Sequence, residues 1–158
     1  MLVLGIDPGS QATGWGLVEY KGGKMRLAAF GVIRSREKLM HRRLADLFRQ
    51  LRSIMEEHRP DAVAVEAIFF ARNAKSALVL GQARGVVLAA AGQAELPFFE
   101  YPPRAVRQAI AGDGAADKLQ VQKMLGFFLG KITAPADAAD ALAVALCHAL
   151  SQGKEALR

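Results

Sequence analysis

LVLGIDPGSQATGWGLVEYKGGKMRLAAFGVI, residues 2–33, is the stretch that decides the fold. Leu2 to Asp7 is a short apolar run that ends on a carboxylate, the pattern of a buried central strand. Pro8-Gly9-Ser10 punctuates it. Thr13 to Tyr20 reads as a second strand, Lys21-Gly22-Gly23-Lys24 as a hairpin turn, and Met25 to Ile33 as a third strand. Two hairpins in a row make a three-stranded antiparallel meander. From Ser35 to His58 the period changes. Met40, Leu44, Leu47, Phe48, Leu51 and Ile54 fall on one stripe, which predicts an amphipathic helix that Pro60 brings to an end. Ala62 to Glu66 is a fourth strand, again apolar and again closed by a carboxylate. A long helix follows, capped by Asn73 or Ser76 and running to about Ala94. Leu96 to Tyr101 reads as a fifth strand, and Pro102-Pro103 opens a short helix to Ala111. Asp117 to Leu129 and a segment from Pro135 to about Gln152 are further helices.

The order β-β-β-α-β-α-β-α-α-α predicts an α/β fold of the ribonuclease H type. Its sheet is mixed and five-stranded, with helices on both faces. No linker or repeat divides the chain, so residues 1–150 are expected to form one domain, with 151–158 a frayed tail. At 158 residues there is no room for a second domain to close over a nucleotide. That weakens an ATPase reading of Asp7-Pro8-Gly9-Ser10 with Thr13-Gly14; these glycines are expected to serve a tight turn instead. No apolar run is long enough to cross a membrane, the start of the chain does not read as a signal peptide, and Cys147 has no partner for a disulfide. A cytoplasmic protein without membrane contact is expected. Its 21 Lys and Arg against 15 Asp and Glu leave a charge of +6, which favours a polyanionic partner without choosing one.

Four acids stand where charge is costly. Asp7 and Glu66 each end an apolar strand, where burial must be compensated by a cation or by several donors. Asp137 and Asp140 are three residues apart on the last helix, hence on one face, among Ala138, Ala139, Ala141, Leu142 and Val144. Each has a plainer reading: Asp7 can cap the following turn, and Asp137 can serve as a first-turn acid favoured by the helix dipole. Those readings leave Glu66 and the set of four unexplained. Four carboxylates suit hard cations, and two Mg²⁺ ions can serve phosphodiester hydrolysis; Mn²⁺ suits the same oxygens. Cys147 and His148 are adjacent on a helix and cannot share one ion.

The residues also resemble a known family. GIDPGSQATGWG at the start is similar to the first motif of the RuvC Holliday-junction resolvases. So are VAVEAIFFARNAKSALVLGQARGVV, FEYPPRAVRQAIAGDGAADKLQVQKML and PADAADALAVALCHA, in this order and spacing from about Leu2 to Ala149. The resemblance implies a homodimeric endonuclease that nicks two opposing strands of a four-way DNA junction symmetrically, leaving 5′-phosphate and 3′-hydroxyl ends. It implies that Asp7, Glu66, Asp137 and Asp140 are its catalytic and metal-binding acids, and that junction-binding and branch-migration proteins of the RuvA and RuvB type are its partners. Phe69, with Phe70 beside it, corresponds to a ring that stacks on bases at the junction centre. Arg107, often Lys in the family, and Lys118 correspond to positions near the scissile phosphate. Asp117 stands where Glu is usual.

Arg72, Lys75 and Arg84, with no acid between Ile68 and Ala94, are expected to join Arg107 and Lys118 in a basic, DNA-binding rim. Arg104 and Lys123 are as well explained by solubility. The helix from Ser76 to Ala94 is apolar almost all round. It is either wholly buried, with Gly81 and Gly85 packed on the domain's own sheet, or half-buried with a face left for a second copy. Two further readings stand beside the junction nuclease: a nuclease acting on RNA–DNA hybrids, and a junction-binding protein without catalysis.

Overall fold

β1 (Leu2–Pro8), β2 (Thr13–Lys21) and β3 (Lys24–Ile33) form the antiparallel meander. α1 (Met40–His58), β4 (Ala62–Glu66), α2 (Ala74–Gln93), β5 (Phe98–Tyr101), α3 (Pro103–Ala111), α4 (Lys118–Leu129) and α5 (Ala136–Glu155) follow. This computed structural model describes residues 1–9, 11–67 and 73–155, the last three by backbone alone. Sheet order is β3-β2-β1-β4-β5, with β4 parallel to both β1 and β5. The mixed five-stranded sheet is therefore as expected.

Helices cover both faces because each central strand is apolar on both. Leu4, Ile6, Val63 and Val65 pack with Leu47, Leu51 and Met55 of α1 and Val87 and Ala90 of α2. Val3, Val18 and Ala64 pack on the other face with Val106 and Ile110 of α3, Leu125 of α4 and a nearly all-buried stretch of α5, including Leu142 and Leu146. The Tyr101 hydroxyl and the buried His148 imidazole are hydrogen-bonded at 2.7 Å, which ties the end of β5 to α5.

Three features differ from expectation. α1 starts at Met40 rather than Ser35, because the Ser35 hydroxyl accepts the Glu37 N–H in a local turn that competes with helix. α5 runs on to Glu155, beyond the expected end near Gln152. Gly14 of the opening motif differs too. A Cβ on Gly14 would lie 1.9 Å from the Asp137 carbonyl oxygen, and one on Gly5 would lie 1.9 Å from that of Ala141. Gly16 is closed off in the same way by the Leu142 side chain. All three are contact points within strands, where the sheet backbone meets α5, so Gly14 is no turn residue, whereas Gly9 does lie in the β1–β2 connection, its Cβ position closed off by the Ala12 carbonyl.

Candidate active site

Side-chain alternation settles which way the strand acids face. Along β1, Leu4 and Ile6 enter the α1/α2 layer, so Val3, Gly5 and Asp7 face α5. Along β4, Val63 and Val65 enter the α1/α2 layer, so Ala64 and Glu66 face α5. Ile6 pairs with Val65, and Asp7 and Glu66 are the next residues on these neighbouring strands. Opposite them stands the first half of α5. Gly14, paired with Asp7 on β2, lets that helix come down to backbone contact beside Asp7. Without side chains at Gly5, Gly14 and Gly16, the helix carrying Asp137 and Asp140 lies directly over the two strand acids.

Electrostatics report the convergence. The Asp7 carboxyl is pushed from the ordinary 3.8 up to about 7, first by burial, then by Asp140, Glu66 and Asp137. Burial and Asp140 also raise Glu66, while Arg107 and Lys118 pull it back. Lys118 Nζ donates to Asp140 Oδ2 at 2.7 Å, and this bond raises the Lys118 pKa. Among the described residues, no three acidic, His or Cys side chains are gathered tightly enough to coordinate one ion as they stand. Like charges favour rotamers that hold carboxylates apart, and the ammonium already neutralises Asp140. The donor set is nonetheless all carboxylate oxygen and strongly coupled, which is the chemistry a hard divalent cation takes.

A cleft of about 350 Å³ opens beside Glu66 and Asp140, lined also by Arg107, Asp117 and Lys118. Arg107 is fixed there by its Nε, which donates to the Gly114 carbonyl at 2.8 Å. Asp117 is the N-cap of α4. Its Oδ1 accepts the Gln120 N–H at 2.8 Å while the Gln120 side chain accepts the Asp117 N–H, a reciprocal cap. This places Lys118 in the first turn, aimed at Asp140, so an acid beside Lys118 is spent on the helix end.

Other expected site residues fall elsewhere. Arg84, expected in the basic rim, is largely covered and held by acceptors of the protein itself. Its side chain is 15% exposed, pairs with Glu100 and donates to the Glu66 carbonyl at 3.1 Å, holding the end of β4. Lys75 is exposed in the first turn of α2. Phe69, Phe70 and Arg72 lie outside the described residues. One neighbour is not evident from the chain alone: Arg34 Nη2 stands 3.9 Å from Asp137 Oδ2. Strand pairing could have revealed it, since Arg34 follows Ile33, the partner of Thr13, at the Asp7 end of the hairpin.

The family model "Crossover junction endodeoxyribonuclease RuvC" matches residues 3–148. The protein of that name from Chloroflexus aurantiacus is 51% identical over 152 residues, covering 94% of this chain and 93% of the relative. The structure of Thermus thermophilus RuvC in complex with Holliday junction substrate superposes with a TM-score of 0.92 at 39% identity, covering 98% of this chain and 96% of that one. The yeast mitochondrial Holliday junction resolvase Ydc2 shares the fold, with a TM-score of 0.71 at 17% identity over 96% of this chain and 79% of that one. Matched from residue 3 to residue 148, and at half identity to a named relative, this chain belongs to the RuvC family of crossover junction endodeoxyribonucleases.

Proposed function

We propose that this chain resolves four-way DNA junctions by metal-dependent hydrolysis, with Asp7, Glu66, Asp137 and Asp140 as its catalytic acids. The observation that carries this reading is the convergence of Asp7 and Glu66, on neighbouring strand ends, with the α5 turn that bears Asp137 and Asp140, and it is accompanied by an Asp7 carboxyl raised to about 7. A set of acids that raises its own proton affinity so far gains most from a bound cation. Asp7 and Glu66 on the strands, with Asp137 and Asp140 on α5, would hold two Mg²⁺ ions, and Mn²⁺ suits the same oxygens. When bound, these supply Lewis-acid stabilisation of the phosphoryl oxygens and a water acidic enough to attack phosphorus. The water oxygen forms the new bond to phosphorus and the bond to the 3′ oxygen breaks. The water gives up a proton to solvent and the departing 3′ oxygen takes one up from solvent, giving 5′-phosphate and 3′-hydroxyl ends. Arg107 and Lys118, in the cleft beside Glu66 and Asp140, neutralise the phosphate as it approaches the carboxylates. Lys75 extends the basic rim, and Phe69 and Phe70 supply the base-stacking rings of the family pattern.

The test is cleavage of a fixed four-way junction and of an RNA–DNA hybrid of equal length, with Mg²⁺ and with chelator. Symmetric junction nicks that vanish on chelation are expected. Preferential cutting of the hybrid would overturn the reading, as would junction binding without cutting at any Mg²⁺ or Mn²⁺ concentration.

α2 supports the two-fold assembly that two opposing nicks require. Leu78 is 68% exposed and Leu88 43%. A Cβ at Gly81, Gly85 or Gly92 would meet nothing within 4 Å, so these glycines turn away from the domain's own sheet. Leu78, Gly81, Gly85, Leu88 and Gly92 form one helical stripe where a second copy's backbone can approach closely. Leu88→Glu is expected to yield a monomer by sedimentation and to replace paired nicks with slow single ones. A dimer that persists in this variant would place the interface elsewhere. A cytoplasmic site of action and partners of the RuvA and RuvB type complete the reading.

A further inference from the structure

Two-thirds of the chain's net charge lies in ten residues around the start of α1. Residues 34–43 hold Arg34, Arg36, Lys38, Arg42 and Arg43 against Glu37 alone, a balance of +4 out of +6. They form the β3–α1 connection and the first turn of α1. Arg34, Arg36, Lys38, His41 and Arg42 are exposed. Among the described residues, Arg36, Lys38 and Arg42 enter no ion pair. Arg43 braces the segment instead, its Nε and Nη2 lying 3.4 and 3.5 Å from the Glu37 carbonyl oxygen.

This placement works against the local fold. The first turn of a helix favours acids, and α1 has none there. Its Leu39 N-cap offers no side-chain acceptor, and Arg42 and Arg43 add positive charge to the positive end of the helix. The strip is also continuous with the acids, because Arg34 reaches to 3.9 Å from Asp137 Oδ2. Arg107 and Lys118 lie on the other side, in the cleft with Glu66 and Asp140. The carboxylates are thus flanked by cations in two directions, of which the cleft accounts for one.

We propose that Arg34, Arg36, Lys38 and Arg42 form a second phosphate-binding strip. It receives the backbone of the cleaved strand on the side of the acids away from Arg107 and Lys118. The inference rests on the nuclease reading, since a strand crossing the acids must leave by some route. A polyanion suits the strip better than an acidic protein surface would. Its cations follow one another along a single segment that begins at the acids, and one apolar residue, Leu39, is exposed among them.

The test compares two triple variants. Arg36→Gln, Lys38→Gln and Arg42→Gln remove three charges from the strip. Lys21→Gln, Lys24→Gln and Arg26→Gln remove three exposed charges from the far end of the β2–β3 hairpin, where Lys21 pairs with Lys24. Binding to a fixed four-way junction is followed by fluorescence anisotropy in chelator from low to high KCl. Each phosphate that a cation neutralises contributes about 0.9 to the slope of log affinity against log salt. The strip variant is expected to show a slope shallower by about 2 to 3 and to need more junction for half-maximal cleavage in Mg²⁺. The hairpin variant is expected to keep the wild-type slope. Equal slopes for wild type and strip variant, or equally shallow slopes in both variants, would overturn the proposal. Failure of the wild type itself to bind or cut the junction would instead overturn the nuclease reading.

Discussion

Asp7→Asn is expected to lower junction cleavage by at least about a thousandfold while junction binding persists. The side chain keeps its size and place at the end of β1 but loses the charge that a cation would meet. The same substitution removes a cost from the fold. In the folded chain Asp7 holds its proton up to about 7, against 3.8 ordinarily. A group whose folded pKa is raised contributes stability that is fully present below about 3.8 and is lost as pH rises to about 7. Glu66 is shifted in the same direction. In chelator the wild type is therefore expected to become less stable between pH 4 and 7, and Asp7→Asn less so, as thermal unfolding across that range would report. Protons also compete with the metal. At fixed, limiting Mg²⁺, wild-type cleavage is expected to fall up to about tenfold per pH unit below 7 for one competing proton, with more Mg²⁺ moving the midpoint to lower pH. A flat profile from pH 5 to 8 would show that Asp7 is not the group the cation displaces a proton from. An Asn variant that still cuts would remove it from the catalytic set altogether.

Gly14→Ala is the second large effect. The new Cβ would lie 1.9 Å from the Asp137 carbonyl oxygen and 2.2 Å from its carbon, and these are helix backbone atoms that no rotamer change can move. α5 must shift as a whole. Overpacking of this kind costs about 3 kcal/mol when the structure cannot yield cheaply. A misplacement of about 1 Å in a catalytic group can cost about a hundredfold in rate. The variant is expected to show both a lower melting temperature and, at a temperature where it stays folded, much slower cleavage. Gly126→Ala in α4, where a Cβ meets nothing within 4 Å, is the control and is expected to hold or raise stability. Wild-type melting and cleavage for Gly14→Ala would mean that close seating of α5 does not set the site.

The acids themselves were legible from the chain, because a carboxylate closing an apolar strand is conspicuous and two acids in an alanine-rich helix are equally so. Arg84 shows the opposite case. An arginine in an acid-free stretch reads as a surface cation, and only tertiary packing brings it to the Glu66 carbonyl and the Glu100 carboxylate. The alternation along β1 and β4 already places Asp7 and Glu66 on one face. Nothing local says how near α5 comes to that face.

Periodicity and strand-end carboxylates determine by themselves the order of the elements, the mixed sheet and which four acids stand where charge is costly. These are properties of short windows, where side-chain alternation and helical spacing repeat within a few residues. Tertiary structure alone decided what depends on contacts distant in sequence. Gly5 and Gly14 are seats for α5 because residues more than a hundred positions later arrive there. Gly81 and Gly85 face outward because the buried side of α2 is occupied by Ala83, Val87 and Ala90. Asp7 holds its proton to about 7 because burial and three acids from β4 and α5 converge on one strand end.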